Sequence, residues 1–259
     1  MTIDVKATAE ALYKATRTRT PLPPLTTTHP DLTVADAYAV QSELGDMLLA
    51  EGDRVVGYKL GLTSAPMQQM FGVNEPDYAP VFASGVVEDG AAVDMGRFIQ
   101  PKAEAEIALL LERPLTGPGV TALEASRAIA GGVAAIEIVD SRIEDWKIKL
   151  PDTIADLASS GAVVLSSQLV SLTDLDVRLI GMVITRNGEL VGTGAGAAAL
   201  GNPIQAVAWL ANTLAPHGVT LEAGRFVMTG ALSAAFPAQP GDVIRAEFDR
   251  LGPVTVRMV

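Results

Sequence analysis

Two apolar segments of this chain contain acidic residues at positions where the surrounding pattern predicts burial. The segment AEAEIALLLE (103–112) begins with strict alternation, and VAAIEIV (133–139) is an apolar run with one acid inside it, so both predict buried strands. Residues i and i+2 of a strand share a face, so Glu104 and Glu106 project together. Glu137 lies between two isoleucines. The pattern therefore predicts a β-rich interior with three carboxylates in or beside it.

Three buried carboxylates near one another repel, and burial alone favours their protonated forms. A divalent cation removes this conflict. Mg²⁺ and Mn²⁺ prefer oxygen ligands, and three carboxylates without sulfur or imidazole partners fit that preference. The residues alone leave an alternative open, in which Glu104 and Glu106 mark the solvated face of an amphipathic strand and Glu137 is a salt-bridged edge residue.

The charge and the scarcity of sulfur and imidazole groups exclude several kinds of site. The 259 residues include 30 Asp and Glu against 19 Lys and Arg, a formal net charge of −11, whereas nucleic-acid binders present basic surfaces. The sequence has no cysteine, which excludes thiolate metal sites and disulfides and favours a reducing compartment. We expect ordinary surface or capping roles for His29 and His217. Metal or acid–base chemistry must therefore depend mainly on carboxylates.

The sequence contains neither a signal peptide pattern nor a membrane-spanning pattern. Residues 1–6 carry an early acid and lack the apolar run of a signal peptide. The apolar stretch 190–211 is interrupted by Asn, Pro and Gln and is rich in glycine, so it does not predict a bilayer span. We therefore expect a cytoplasmic protein that does not interact with membranes or nucleic acid.

The helical and β-rich parts of the chain divide near residue 53. Residues 4–19 predict an exposed helix, and a second helix begins after a Thr33 N-cap and ends near Gly52. From Arg54 onward, short β-branched runs are broken by glycine. We predict a helical N-terminal part, 1–53, and a catalytic domain, 54–259.

Further elements follow from local signals in the second part. Asn187-Gly188 is a two-residue hairpin turn, and Thr121 with Glu124 forms a capping box. The predicted helices are 65–71, 122–130 and 203–218, and the additional predicted strands are 162–166, 180–186, 189–193, 225–229, 243–249 and 254–258. We expect packing roles for Trp146 and Trp209.

Six segments, taken together, carry a resemblance to a known family. They are VVGYKLGLTS (55–64), NEPDY (74–78), AEAEIALLLERPL (103–115), AAIEIVDSRIEDWKIKLPDTIADLASSG (134–161), LGNPIQAVAWLAN (200–212) and VMTGAL (227–232). In order and spacing they resemble the 2-hydroxypentadienoate hydratase and 4-oxalocrotonate decarboxylase family of the fumarylacetoacetate hydrolase superfamily. The resemblance implies an α+β fold with a rolled mixed β-sheet core, a small helical N-terminal part and a Mg²⁺ or Mn²⁺ site.

The resemblance also implies roles for particular residues. It implies that the metal ligands are Glu104, Glu106 and Glu137, that Lys59, Asp77 and Ser160 are catalytic, and that Thr229 and Gly230 bind the substrate. Simpler alternatives exist for the last five residues. Lys59 could be a surface lysine, Asp77 a turn cap and Ser160 a loop cap. Thr229 and Gly230 could form a plain turn at a strand end.

One position departs from the pattern. Where family members commonly read ADNAS, this chain reads ADLAS (155–159), so Leu157 replaces an asparagine and puts any polar contact of that side chain in doubt.

The resemblance leaves two lyase reactions open. The main expectation is hydration of a 2-hydroxy-2,4-dienoate, through its 2-oxo-3-enoate tautomer, to a 4-hydroxy-2-oxo acid in aromatic meta-cleavage catabolism. The alternative is decarboxylation of 4-oxalocrotonate (2-oxo-3-hexenedioate). The hydratase is favoured by four segments, 67–73, 145–147, 152–156 and 229–232, whereas 194–198 and 233–235 are more typical of the decarboxylases.

Expectations about partners follow from the same resemblance. We expect a small 2-oxo or 2-hydroxydienoic acid as substrate, a homo-oligomer, and a possible complex with a decarboxylase or hydratase of the same pathway. A third hypothesis, a non-catalytic partner subunit, would be favoured by the loss of a metal ligand, but all three acids are present.

Overall fold

Thirteen β-strands and seven α-helices lie within residues 3–259, the part of the chain that the computed structural model describes. The helices are α1 (Val5–Thr18), α2 (Leu25–Thr28), α3 (Val34–Ala50), α4 (Ala65–Phe71), α5 (Ala122–Ala128), α6 (Leu150–Ala155) and α7 (Pro203–Leu214). The strands are β1 (Val55–Gly61), β2 (Asp77–Phe82), β3 (Val86–Glu88), β4 (Ala92–Val93), β5 (Lys102–Leu111), β6 (Ile129–Val139), β7 (Ser160–Leu165), β8 (Gly181–Arg186), β9 (Glu189–Ala195), β10 (Phe226–Met228), β11 (Phe236–Pro237), β12 (Val243–Phe248) and β13 (Gly252–Met258).

The strands form two mixed sheets. The larger has the order β2-β1-β10-β5-β6-β7-β3, with β11 added to β5, and the smaller has the order β4-β13-β12-β8-β9. The pairs β1/β10, β3/β7 and β4/β13 are parallel and the other pairs are antiparallel. This arrangement, together with the helices, confirms the α+β class.

The main hydrophobic core lies on one face of β5 and β6. Ala103, Ala105 and Ile107 are fully buried there with apolar residues of β8, β12, β13 and α7. This confirms the alternation predicted for β5, because the odd-numbered residues pack into the core and leave Glu104 and Glu106 on the opposite face. The two glutamates therefore belong to the face that carries the site.

A second core joins the N-terminal helices to α6. Leu12 of α1 and Leu44 of α3 pack with Ile154. The amide of Gln41 donates to the carbonyl oxygens of Tyr78 at 3.0 Å and Ile154 at 2.8 Å, which connects α3 to β2 and α6. These contacts place α1–α3 against the elements that carry site residues. The division between residues 53 and 54 stays a prediction.

Most predicted elements are confirmed, with differences at their ends. Asp4 caps α1, and Thr33 caps α3 in a capping box with Asp36. The helix predicted for 122–130 ends at Ala128, because the β-branched Ile129 begins a longer β6. The helix predicted for 203–218 ends at Leu214 and continues as a 3₁₀ turn.

Two short elements near the site were not predicted. They are β2, which carries Asp77, and α6, which has Pro151 as its second residue. Both have at most six residues, too few for a clear period. Within residues 3–259, every helix is too short or too polar to cross a bilayer.

Candidate metal site and active-site pocket

Three carboxylates converge on one face of the larger sheet. Glu104 of β5 lies directly opposite Glu137 of β6 in the strand register, and Glu106 follows two residues later on the same face. Each of the three offers an oxygen, and these oxygens all lie within 4.8 Å of one another. The spacing predicted from the sequence therefore produces a compact set of oxygen ligands.

The alternative of a solvated or edge location for these acids is wrong. The side chains of Glu106 and Glu137 are 1% exposed, and β6 is an interior strand between β5 and β7. Glu104 is half-buried and also lines a pocket. Glu106 and Glu137 are therefore buried in the protein interior, and Glu104 lies at the surface of the pocket.

Burial and mutual repulsion disfavour the charged forms of these acids. Burial, with the charge of Glu137, raises the pKa of Glu104 to about 7, and Lys59 and Lys102 offset part of this effect. Burial and the charges of Glu137 and Glu104 raise the pKa of Glu106 well above its ordinary value. Like charges placed directly opposite in a sheet are destabilising, so a compensating cation would favour the ionised form of the cluster.

The set of donors fits a hard divalent cation. Neither carboxylate oxygen of Glu137 accepts a hydrogen bond of regular geometry from any residue in the range 3–259, although Oε1 lies 2.7 Å from Nζ of Lys59 as an ion pair. One oxygen of Glu106 is oriented by the backbone N–H of Gly230 at 2.8 Å. Buried carboxylate oxygens with free lone pairs are suitable ligands for Mg²⁺.

Lys59 is buried beside the carboxylates rather than exposed at a strand end. Its side chain is 4% exposed, and Nζ also donates to the carbonyl oxygen of Ala158 at 2.7 Å. Burial lowers the pKa of Lys59, but the negative charge of Glu137, with smaller contributions from Glu104 and Glu106, outweighs this effect and leaves the pKa above its ordinary value. Lys59 therefore carries a positive charge at neutral pH. An ammonium group has three N–H donors, so one remains for a ligand.

Asp77 lies at the start of β2, opposite Gly61 of β1. It is 2% exposed, and Oδ1 has no hydrogen-bond partner among residues 3–259. Burial raises the pKa of Asp77 to about 6, and the charge of Lys59 offsets part of this effect. A Cβ at position 61 would lie 2.2 Å from Oδ1, so a glycine is required there. Asp77 lines the pocket, so its position is not that of an exposed turn cap.

A pocket of about 1370 Å³ leads to this cluster. Lys59, Asp77, Glu104 and Glu137 form its charged end, and Lys102 and Lys149 also line it. Most of the remaining wall is apolar, although polar side chains such as Gln68 and Ser233 also line it. The apolar side chains include Leu62, Met67, Met70, Phe71, Leu200 and Leu232. The pocket therefore combines a polar end with an apolar wall, which is typical of a site for a small organic acid.

Unusual backbone conformations are concentrated around the pocket. Among residues 3–259, ten residues other than glycine have positive φ, and five of these line the pocket: Leu62, Trp146, Ala158, Ser159 and Leu200. Left-handed conformations are unfavourable for residues with a side chain and persist where the surrounding structure enforces them. This concentration is an independent indication that the pocket is functional.

The structure places three predicted residues behind the pocket wall. Ser160 begins β7, and its carbonyl oxygen accepts a hydrogen bond from Arg142; the serine that lines the pocket is Ser159. Thr229 is fully buried and its hydroxyl donates to a main-chain carbonyl, that of Ile107, at 2.8 Å. The N–H of Gly230 is bonded to Glu106, as described above. The segments are near the site, but the Thr229 hydroxyl and the Gly230 N–H already have protein partners, and Ser160 does not line the pocket.

No local sequence pattern indicates the buried pair of Arg142 and Asp156. Arg142 is 5% exposed and Asp156 is fully buried. Asp156 lies directly before Leu157, the residue that departs from the family pattern. Its ion pair with Arg142, and the hydrogen bond from Arg142 to its carbonyl oxygen, stabilise the turn that begins at Leu157. Leu157 has a φ of 52°, which is a left-handed backbone conformation. Asparagine adopts this conformation more readily than leucine, which fits the asparagine of the family pattern at this position.

Trp146 has a polar contact in addition to packing. Its Nε1 donates to the carbonyl oxygen of Gln100 at 3.0 Å, and Nζ of Lys102 lies 4.1 Å from the centroid of its ring. Trp209 packs against Tyr78 with the ring centroids 6.4 Å apart, in agreement with the packing role predicted for it.

The chain is similar to known proteins over nearly its whole length. The chain is 45% identical over 246 residues to a 2-keto-4-pentenoate hydratase of Paraburkholderia xenovorans (strain LB400), covering 95% of this chain and 91% of that one. It is 41% identical to a 2-hydroxyhexa-2,4-dienoate hydratase of Comamonas testosteroni, covering 98% and 97%. A solved structure of 4-oxalocrotonate decarboxylase from Pseudomonas putida G7, complexed with magnesium and adipate, superposes with a TM-score of 0.96 at 40% identity, covering 98% and 97%. Residues 55–259 match the family described as fumarylacetoacetate (FAA) hydrolase C-terminal. The chain therefore belongs to the fumarylacetoacetate hydrolase family.

Proposed function

We propose that this enzyme is a divalent-metal-dependent hydratase that converts a 2-hydroxy-2,4-dienoate to a 4-hydroxy-2-oxo acid. The observation that carries the proposal is the position of Glu104, Glu106 and Glu137 at the end of a pocket that Lys59 and Asp77 also line or adjoin. Two hydratases that are 41% and 45% identical to this chain over nearly its full length support the same reaction.

The three glutamates would hold Mg²⁺ or Mn²⁺. Their oxygens lie close enough together for one ion, and the buried oxygens of Glu137 lack regular hydrogen bonds from the described residues. When bound, the ion supplies Lewis acidity that neutralises the acid and stabilises negative charge on its C2 oxygen. The solved relatives in complex with magnesium, or with calcium and acetate, support a divalent cation.

Lys59 binds and orients the anionic substrate. Its ammonium is held between Glu137 and the carbonyl of Ala158, so the group presents its charge in a fixed place without reorganisation. A permanent positive charge there stabilises the carboxylate of the substrate and the enolate that forms as the dienol rearranges.

Asp77 holds and moves a proton at Oδ1. Its pKa of about 6 places both protonation states within reach at neutral pH, and Oδ1 is free of protein partners within residues 3–259. Protonation at C5 gives the 2-oxo-3-enoate, and one water then adds its hydroxyl at C4 and a proton at C3. The apolar wall of the pocket limits other water molecules around the reacting carbons.

A specific observation favours decarboxylation as the second candidate. Lys102 lines the pocket two residues before Glu104, on the same strand face, and its ammonium lies over the ring of Trp146. A second cation of this kind suits a substrate with a second carboxylate, such as 2-oxo-3-hexenedioate. The extended apolar wall, however, suits an uncharged chain, and we therefore place the hydratase first.

The two reactions are distinguished by their products. Purified enzyme with Mg²⁺ is incubated with 2-hydroxypenta-2,4-dienoate and, separately, with 2-oxo-3-hexenedioate. We expect loss of dienoate absorbance and formation of 4-hydroxy-2-oxopentanoate from the first substrate. Carbon dioxide release from the second, with no hydration of the first, would contradict the proposal.

The cytoplasmic location, the homo-oligomer and a complex with another enzyme of the pathway stay predictions. Exposed leucines such as Leu179 (70% exposed) and Leu190 (64% exposed) support self-association. Light scattering on the eluting protein measures the subunit number directly, and a monomer would contradict this part of the proposal.

A further inference from the structure

The turn of residues 157–159 contains three consecutive residues in the left-handed region. The φ values of Leu157, Ala158 and Ser159 are 52°, 48° and 54°. A left-handed conformation costs about 1 kcal/mol or more for each residue with a side chain. Such a run cannot be maintained by local preference, so contacts from elsewhere in the fold must impose it.

Arg142 supplies those contacts on both sides of the turn. Its backbone N–H donates to Oδ2 of Asp156 at 2.9 Å, Nε donates to Oδ1, and Nη2 donates to the carbonyl oxygen of Asp156 at 2.5 Å. Its Nη1 donates to the carbonyl oxygen of Ser160 at 2.7 Å. One guanidinium thus fixes the residue before the turn and the residue after it. A planar group with several donors is suited to this arrangement, and a lysine is not.

Asp156 keeps the guanidinium in place. The carboxylate is fully buried, and burial raises its pKa to about 6, although the charge of Arg142 offsets part of this effect. The hydroxyl of Ser141 donates to Oδ2 at 3.3 Å. At neutral pH the ionised carboxylate and the guanidinium form a buried pair whose remaining lone pairs and N–H groups have partners.

The middle residue of this turn contacts the catalytic machinery. The carbonyl oxygen of Ala158 accepts a hydrogen bond from Nζ of Lys59 at 2.7 Å. If Ala158 rotated toward the right-handed region, its carbonyl would turn away from Lys59. Lys59 would then lose this hydrogen bond and keep its ion pair with Glu137. The position of the ammonium in the pocket therefore depends on the conformation of the turn.

We propose that Arg142 is a positioning residue, which, through Asp156 and the left-handed turn, fixes the ammonium of Lys59 in the orientation that the reaction requires. The proposal rests on the proposed function, because it assigns Lys59 a role in turnover. A purely structural pair would affect stability alone, whereas a positioning residue affects kcat at unchanged fold and metal affinity.

The main test substitutes Arg142→Lys, which keeps the charge and removes the hydrogen bonds to both flanking carbonyls. We expect kcat to fall about 10–100-fold, since small misplacements of a reacting group cost rates of this order. KM and the Mg²⁺ Kd from isothermal titration calorimetry should stay within about threefold, because the guanidinium does not contact the carboxylates of the metal site. In a crystal structure of the variant, the distance from Nζ of Lys59 to the carbonyl of Ala158 should exceed hydrogen-bonding range.

The matched control is Asp152→Asn. Asp152 is also fully buried, in the helix before the turn, and accepts hydrogen bonds from Thr26 at 2.9 Å and 2.8 Å, but it does not line the pocket. We expect a loss of Tm with kcat near that of wild type. If kcat of Arg142→Lys equals that of wild type, or if both variants lose kcat in proportion to Tm, the proposal is wrong.

A milder variant keeps the test decisive if Arg142→Lys does not fold. Ser141→Ala removes one hydrogen bond to Asp156 and the one that the Ile143 N–H donates to this hydroxyl, and it leaves the guanidinium intact. We expect kcat to fall at least about threefold with unchanged Mg²⁺ affinity, and no change in kcat would overturn the proposal. Failure of the proposed function is recognised separately, since wild type itself would then show no hydration. In that case the crystallographic distance between Lys59 and Ala158 still tests the positioning role.

Discussion

Nζ of Lys59 lies 2.7 Å from Oε1 of Glu137, although two strands separate β1 from β6 in the larger sheet. Three interstrand spacings of about 4.8 Å would place these strands about 14 Å apart in a flat sheet. The sheet must therefore curl so that the side chains on its concave face converge. This curvature brings a lysine from the N-terminal end of the domain to a carboxylate cluster from its middle.

Substitution Glu106→Gln should weaken Mg²⁺ binding strongly and leave the fold intact. The amide oxygen of glutamine can still accept the hydrogen bond from Gly230, but the charge is lost. We expect Mg²⁺ affinity to fall by at least about 100-fold, because a hard cation depends on carboxylate charge. Calorimetric titration measures this effect. Glu112→Gln, at an exposed position after β5, is the control, and equal affinity in both variants would contradict the assignment.

Substitution Lys59→Met should lower kcat and also reduce stability, because Glu137 loses its buried ion-pair partner. Methionine fills a similar volume but removes the charge that stabilises the enolate, so we expect kcat to fall by about 10³-fold. Steady-state kinetics at saturating Mg²⁺ checks this prediction. Lys14→Met, on an exposed face of α1, should retain full activity. A Lys59→Met enzyme with more than a tenth of the wild-type kcat would exclude the proposed role, since such a loss is below about 1.4 kcal/mol.

Substitution Gly61→Ala should displace Asp77. The new Cβ would lie 2.2 Å from Oδ1, so the carboxylate must move out of its place in the pocket. We expect kcat to fall by about 100-fold with a modest loss of stability. Gly181→Ala is the matched control, because a Cβ at this other strand glycine meets no atom within 4 Å. Equal kcat for the two variants would show that the position of Asp77 is not critical.

The stability of the metal-free protein should decrease as pH rises. The pKa of Glu104 is about 7 and that of Glu106 is well above its ordinary value, so the folded state binds more protons than the unfolded state above about pH 4.5. The free energy of unfolding is thus highest at low pH within this range and falls as pH rises through 7. The free energy of unfolding changes by about 1.4 kcal/mol per pH unit for each additional proton that the folded state binds.

Urea denaturation of chelator-treated protein at about pH 5 and about pH 8 measures this dependence. We expect lower stability at the higher pH and its recovery when Mg²⁺ is added, since the ion binds the ionised carboxylates. The Glu106→Gln variant should show a shallower dependence. Equal stability of wild type at both pH values would mean that the carboxylates are not buried together.

The sequence was most informative where periodicity and chemistry coincide. The alternation in β5 placed Glu104 and Glu106 on one face, and the apolar neighbours of Glu137 indicated its burial; all three predictions of position are confirmed. Resemblance supplied Lys59 and Asp77, which no local pattern marks. Their convergence depends on the pairing and curvature of strands distant in sequence, which periodicity alone does not encode.

The remaining features could not be read from the sequence for physical reasons. The left-handed turn after Asp156 is imposed by Arg142 from another segment, so residues 157–159 carry no turn-forming glycine as a signal. From the sequence, the hydroxyl of Thr229 could bind a substrate, but in the fold it donates to the carbonyl oxygen of Ile107. Such roles are decided by partners that come together only in the folded chain.

Metal-dependent hydration is the central claim, and one measurement tests it most directly. Protein treated with a chelator is mixed with 2-hydroxypenta-2,4-dienoate, and absorbance is followed before and after Mg²⁺ is added. We predict no turnover before addition and rapid turnover after it, with 4-hydroxy-2-oxopentanoate identified by NMR. Hydration that continues at full rate in the presence of the chelator, or no hydration after Mg²⁺ is restored, would contradict the account.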